Sequence, residues 1–283
     1  MPRIQIEADA IDPGQPSEPR GWKQRWQRLW FSPPTSYHGL KMRCAPGVHE
    51  AAALLLARNL SVSRTGVLDL ASGSGAFLAR MRELGFSDLD AVELDAEKFG
   101  LPEVSPMALD LNRDFAGALP RRYPLVTAIE IIEHLDSPRH FLRSVHAALT
   151  DGGHLLVSTP NVAGWRGRVA FLLRGTLRQF DEAQYDYNHH ISPIAPLQML
   201  QMFRETGLEV VDQTCAGSFA GPLKRALGFP LAAAIQSVGG DGLIGDVNIY
   251  LVRRAAAAPA VSRPTDWMGV PVRAPTRSLA SVG

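Results

Sequence analysis

The sequence predicts an α/β fold, a mostly parallel β-sheet covered by helices on both faces. Three observations carry this. From residue 66 onward, short apolar runs alternate with segments of helical periodicity. The runs "GVLDLAS", "LDAVELD", "YPLVTAIEI" and "HLLVSTP" are apolar enough to be buried on both faces. Turn residues punctuate the joints, as at Gly85, Ser137-Pro138 and Asp151-Gly152-Gly153.

Taken in order, "GVLDLAS" reads as a first buried strand. "GAFLARMRELG" follows as a helix, with Phe77, Leu78, Met81 and Leu84 at helical spacing and Gly85 as its stop. "LDAVELD" is a second strand, "PMALDLN" a third and "YPLVTAIEI" a fourth. Ser137 caps a helix with Pro138 at its first position, and Phe141, Leu142, Val145 and Leu149 form its apolar stripe. "HLLVSTP" is the fifth strand. Ser192-Pro193 opens a further helix, "APLQMLQMFRETG", and "LEVVDQTC" and "NIYLVRR" are the last strands. Ligands in such sheets bind at the C-terminal ends of the strands, at the topological switch point.

The flanks read differently. Residues 1–20 hold acids and prolines without periodicity, and 255–283 are rich in Ala, Pro and Ser with few large apolar side chains to offset ordering entropy, so both are expected to be disordered. That leaves residues 21–254 as one domain, with a helical cap over 21–60, a binding core over 66–160 and insertions at 161–194 and 216–246. In the cap, Trp22, Trp26, Leu29 and Trp30 share a helical stripe while Lys23, Arg25 and Arg28 lie off it. This pattern suits packing on the domain or contact with an anionic lipid surface.

Composition narrows the function classes. A net charge of +1 gives no global field for nucleic acid. Cys44 and Cys215 form no CxxC pair or ligand cluster, which argues against a disulfide framework and fits a reducing, cytoplasmic setting. No apolar leader pattern opens the chain. The apolar stretch Ala226–Gly240 contains Gly228 and Pro230 and falls short of the roughly 20 residues a membrane span needs, so no transmembrane segment is expected.

Two stretches carry candidate chemistry. In "VLDLASGSGAF", Gly73 and Gly75 sit where the first strand turns into a helix, where backbone N–H groups can approach an anionic ligand. Glu93 ends the second strand about two dozen residues after Asp69, in the place of an acid that accepts hydrogen bonds from ribose hydroxyls. A nicotinamide fingerprint wants a third glycine at position 78, where this chain has Leu78. Asp69 would repel a pyrophosphate and suits a ligand bearing an ammonium group. S-adenosylmethionine carries both an ammonium and a sulfonium.

The motifs "VLDLASGSG", "AVELD", "LDLN", "AIEIIEHL" and "DGGHLLVSTPN" occur in that order. From about residue 45 to 254 the chain resembles the class I S-adenosylmethionine-dependent methyltransferases. The resemblance implies a Rossmann-like sheet of seven strands whose last, "NIYLVRR", is antiparallel. It also implies that Asp69, Gly73 and Gly75 line the methionine part of the cofactor, Glu93 the ribose, and Asp110 with Leu111 the adenine. The family usually has Gly then Cys where this chain has Ala71-Ser72. Small size is taken as the requirement at position 71; a positive φ there would cost alanine about 1 kcal/mol.

The second stretch is "AIEIIEHLDSP". Glu130 is expected beside the cofactor, and Glu133 and His134 lie three and four residues beyond it, on one side if the turn is helical. The pattern resembles the E-x-x-E-H motif of ubiquinone-pathway O-methyltransferases and small-RNA 2′-O-methyltransferases, where these positions bind a metal. His190 of "YDYNHHISP" is a fourth candidate, as ligand or general base. Two readings stand side by side. In one, Glu130, Glu133, His134 and His190 hold Mg²⁺, Mn²⁺ or Zn²⁺ against a substrate hydroxyl. In the other, Glu130 touches the cofactor, His134 or His190 is the base, and no metal is held.

The insertions carry Trp165, Val169, Leu172 and Leu173 with arginines 166, 168, 174 and 178 around them, and "AGSFAGPLKRALGFPLAAAIQSVGGDGLIGD" between the last strands. As lids they would suit a partly apolar or membrane-derived small-molecule acceptor. The expected activity is methyl transfer to a hydroxyl of such an acceptor. An RNA 2′-O-methyltransferase, disfavoured by the neutral charge, and a cofactor-binding protein without catalysis are the alternatives.

Overall fold

The computed structural model describes residues 36–217 and 245–255 of the 283-residue chain. The expected Trp22–Trp30 helix, the terminal segments except residue 255, and nearly all of the second insertion lie outside the described residues.

A two-stranded hairpin, β1 (Ser36–Tyr37) and β2 (Leu40–Lys41), leads into helix α1 (Val48–Arg58). The sheet is built from β3 (Thr65–Leu70), β4 (Ser87–Val92), β5 (Tyr123–Ala128), β6 (Leu149–Pro160), β7 (Leu208–Ala216) and β8 (Val247–Arg254). Its spatial order is β4-β3-β5-β6-β8-β7. The pairs among β3 to β6 are parallel, while β8 runs antiparallel to both its neighbours, as expected for the last strand.

Among the described residues the sheet has six strands, against the expected seven. "PMALDLN" contributes a single bridge, Met107 to Val92, beyond the β4 edge. Pro106 lacks an N–H, and Asp110 turns back to accept from Asn112 N at 2.9 Å, so the segment has little length left for a ladder.

Helix α2 (Ala76–Glu83) follows β3, and α3 (Pro138–Ala148) follows β5. Ser137 Oγ accepts from His140 N at the start of α3, a cap worth about 1 kcal/mol. Insertion helices α4 (Trp165–Arg174) and α5 (Glu182–Asn188) precede α6 (Pro196–Glu205). α6 begins a few residues later than Ser192-Pro193, because Pro196 at its first turn sets the helical start.

Side chains alternate across the sheet with period two. Leu68, Leu70, Val126, Ala128, Tyr250 and Val252 face α3 and α6 and pack with Phe141, Leu142, Met199 and Phe203. Val67, Leu125, Ile249 and Leu251 face the other way, against Leu55 and Leu56 of α1 and Leu78 and Met81 of α2. Two cores sandwich one sheet, and each fully buried large side chain contributes roughly 1.5–3 kcal/mol. The neighbours of β3 lie on opposite sides, β4 and β5, which makes the C-terminal ends of β3 and β5 the switch point.

Candidate functional site

Asp69 sits on β3 directly across the ladder from Thr127 of β5. It is 2% exposed, and Thr127 Oγ1 donates to its Oδ1 at 2.6 Å. Burial pushes its carboxyl up to about 7, against the pull of that hydrogen bond. The chain then turns sharply. Ala71 (φ 55), Gly73 (φ 58) and Gly75 (φ 83) all occupy the left-handed region. Position 71 therefore demands a positive φ, correcting the expectation that small size was its main requirement. Gly75 is held by two constraints, since a Cβ there would lie 2.7 Å from Leu101 Cβ.

Glu93 follows β4 and closes the loop from above. Its Oε2 accepts from Gly73 N at 2.7 Å and its Oε1 from Asp95 N at 3.2 Å. One carboxylate thus joins the glycine turn to the end of β4, and each of its oxygens keeps capacity for a further donor. Asp110 binds Asn112 N and pairs with Arg113 at 3.3 Å, and Leu111 is buried beside it against the core.

The hairpin lies over the same turn. Ser74 Oγ donates to Lys41 O at 2.8 Å, and a Cβ on Gly73 would lie 3.9 Å from Arg43 Cδ. Arg43 is an exposed cation beside the glycine turn, a residue the sequence reading missed because "LKMRC" precedes every motif. At Cys44, burial, then the Glu130 and Glu50 carboxylates, push the thiol up to about 12, which disfavours the thiolate.

At the end of β5, Glu130 takes φ 51, a left-handed conformation rare for a non-glycine residue. Ser158 of β6 supports it. Glu130 N donates to Ser158 Oγ at 2.9 Å, and that hydroxyl donates on to Glu130 Oε1 at 3.0 Å. Burial raises the Glu130 carboxyl to about 7. A 3-10 turn, Ile132–His134, follows. Because the backbone reverses at Glu130 before that turn begins, the expected i, i+3, i+4 face does not form.

Instead Glu133, His134 and His190 come together. One ligand atom from each lies within 4.8 Å of the others, and Glu130 is not part of this group. Of the four residues that the sequence reading put forward as ligands, these three form the group and Glu130 stands outside it. Glu133 is fully buried, and among the described residues neither carboxylate oxygen makes a full hydrogen bond, although the Thr159 hydroxyl favours its ionised form and His134 Nε2 lies 3.9 Å from Oε1. Burial, then the charge of Glu130, drive its pKa well above the usual carboxylate range. His134 and His190 contact edge to face at 4.8 Å, and burial lowers both imidazoles. The loop carrying His190 is fixed by backbone, since Ile191 N and Ser192 N both donate to Glu133 O, at 3.0 and 2.9 Å.

A buried carboxylate without a full hydrogen bond, beside two imidazoles, is the donor chemistry of a divalent cation site or of a proton relay. Carboxylates at Asp69 and Glu93, with Arg43 opposite, suit a small ligand bearing an ammonium, ribose hydroxyls and a carboxylate. Of the residues singled out in sequence, Asp69, Gly73, Gly75 and Glu93 form one cluster and Glu133, His134 and His190 another, with Glu130 at the mouth of β5. Thr127 and Ser158 were missed; their signal was a hydroxyl near the end of an apolar strand.

A family profile described as "Methyltransferase domain" matches residues 38–213. The ubiquinone biosynthesis O-methyltransferase of Ruegeria pomeroyi is 28% identical over 157 residues, 52% of this chain and 61% of that protein. The enzyme of the same name from Pseudomonas aeruginosa is 28% identical over 163 residues, 52% of this chain and 65% of that protein. The chain spans less than two thirds of the length of these relatives. A candidate methyltransferase from Bacillus halodurans of known structure superposes with a TM-score of 0.51 at 18% identity, covering 74% of this chain and 99% of that one. At that identity the likeness is one of fold.

Proposed function

The chain belongs to the methyltransferase domain family, and we propose that it transfers the methyl group of S-adenosylmethionine to a hydroxyl of a small, partly apolar acceptor. The observation that carries this reading is the meeting of Glu133, His134 and His190 beside Glu130, at the strand ends that also carry the Asp69–Gly75 turn. A cofactor site without such a group would suit an acceptor that needs no deprotonation. A hydroxyl needs its proton removed.

In this reading Asp69 and Arg43 hold the two ends of the amino-acid part, Glu93 accepts from the ribose, and Asp110 and Leu111 border the adenine. The cofactor supplies an activated methyl group on sulfur, so the protein's share is alignment and proton removal. His190 Nδ1 donates to Gln179 O at 2.7 Å, which leaves its Nε2 lone pair for a proton or a metal. Glu133, His134 and His190 would hold a divalent cation, which lowers a bound hydroxyl's pKa. An apolar acceptor fits the insertion, where Phe171, Leu172 and Leu173 of α4 are 55, 84 and 75% exposed beside Arg168 and Arg174. The same face suits drawing an acceptor from an anionic lipid surface.

Calorimetry tests the reading first: S-adenosylmethionine should bind and NAD should not. Transfer of labelled methyl groups into fractions of cell extract then identifies the acceptor. Absence of cofactor binding overturns the reading; transfer into RNA alone replaces the small-molecule acceptor.

A further inference from the structure

Resting on that reading, we infer that Gln179 is the positioning residue for His190, and that it acts through its backbone carbonyl, braced against Asp246 at the start of β8. A carbonyl only accepts, so the 2.7 Å contact from His190 Nδ1 to Gln179 O fixes the Nδ1–H tautomer and leaves Nε2 as the ring nitrogen available to the group with Glu133 and His134. Gln179 presents that carbonyl from a left-handed backbone, φ 68, a region in which only a few per cent of non-glycine residues are found.

Its surroundings hold it there. Gln179 Nε2 donates to Asp246 O at 3.2 Å, the same carbonyl that accepts from Asn161 N at 2.8 Å. One residue earlier, Arg178 grips both carboxylate oxygens of Asp246, at 3.1 and 3.2 Å, and Arg166 of α4 reaches the same carboxylate at 3.4 Å. Asp246 is 8% exposed, so these charge-assisted bonds are sheltered from solvent. On the far side, the Phe180 ring packs on the His190 ring at 5.4 Å between centroids. The segment between α4 and α5 is thus tied to the junction of β6 and β8, and the tie ends on the imidazole. A backbone carbonyl, rather than a carboxylate, leaves the oriented imidazole without a charged partner on its Nδ1 side.

The test uses the full chain labelled with ¹⁵N-histidine. At about pH 8, above the reference histidine value, long-range ¹H–¹⁵N spectra report each neutral tautomer. The His190→Gln variant assigns the signal. Wild type and Gln179→Gly should both show His190 as Nδ1–H, since glycine keeps the carbonyl and accepts positive φ. Gln179→Val, which resists that conformation, should lose the Nδ1–H pattern in favour of Nε2–H while its thermal midpoint stays within a few degrees. Should Gln179→Val fail to fold, Asp246→Asn, which breaks both arginine pairs and keeps the carbonyl, should lose the Nδ1–H pattern instead. An Nε2–H tautomer in wild type, or Nδ1–H retained in the folded variant, overturns the inference. The measurement needs neither cofactor nor acceptor. A wrong tautomer in a protein that binds S-adenosylmethionine sinks this inference alone, whereas absence of binding sinks the proposed function.

Discussion

The glycine turn after β3 and the acidic turn after β5 sit at adjacent strand ends, yet they are finished to different degrees. In the first, polar groups answer one another: Thr127 serves Asp69, and Glu93 serves Gly73 N and Asp95 N. In the second, Glu133 is fully buried and, among the described residues, neither of its oxygens makes a full hydrogen bond, beside two imidazoles whose pKa burial lowers. A self-satisfied turn is a template that keeps its shape before a ligand arrives. A buried, unpaired carboxyl is costly unless it is protonated or meets a cation, so in the proposed function the second turn is the one that would change state.

This contrast can be broken at its sharpest point with Glu133→Gln. The variant keeps shape and loses the charge, and turnover should fall by about 100-fold or more if the group holds a cation or relays a proton. Steady-state rates with the identified acceptor, with chelator and with added Mg²⁺, Mn²⁺ or Zn²⁺, measure this. Unchanged turnover would make the second turn plain packing. In the first turn, Glu93→Ala should weaken S-adenosylmethionine binding by about 1–3 kcal/mol, through lost charge-assisted bonds and a loosened Gly73. Calorimetry reads it, and an unaltered affinity would remove Glu93 from the site.

Asp69 supplies a pH signature. With its carboxyl at about 7, the ionised form that attracts an ammonium grows as pH rises. Cofactor affinity should therefore climb by up to about tenfold per unit below that value and level off above it, and Asp69→Asn should abolish the slope. The same shift acts on folding with opposite sense. Between the ordinary value of 3.8 and about 7, the folded state holds a proton that the unfolded state has lost, so this group's contribution to stability declines as pH rises across that window. Thermal midpoints of Asp69→Asn relative to wild type, taken across that range without cofactor, check the sign. The smallest effect belongs to Ala71→Gly. Releasing a non-glycine residue from φ 55 should stabilise the fold by about 1 kcal/mol, or roughly 2–4 °C in midpoint for a domain of this size. A lower midpoint would show that the alanine methyl packs more usefully than the strain costs.

Much of the fold was legible because its signals are local. Buried strands read as apolar runs, Ser137-Pro138 reads as a helix start, and Gly73 and Gly75 read as a strand-to-helix turn. The third strand was over-read because "MALDL" has strand composition, and composition does not reveal that Asp110 spends its carboxylate on Asn112 N. The common face expected for Glu130, Glu133 and His134 was over-read for a related reason. Spacing of three and four residues places side chains together only along a continuous helix, and Glu130 stands outside the 3-10 turn at positive φ. Arg43 and Gln179 went unread because each matters through where its segment lies, not through a neighbouring motif.

By itself, then, the sequence determined the alternation of strands and helices, the turn at Gly73–Gly75 and the identity of the acids around it. These follow from periodicity and from backbone sterics, which act over a few residues. Only the tertiary structure decided that Glu133 joins His134 and His190 while Glu130 turns to Ser158, and that Gln179 sets the ring of His190. Except for neighbouring Glu133 and His134, those pairings join residues from different segments of the chain. They depend on the reversal at Glu130, on β6 lying beside β5, and on Asp246 anchoring the insertion, and the first two residues of a motif carry no record of what packs against it.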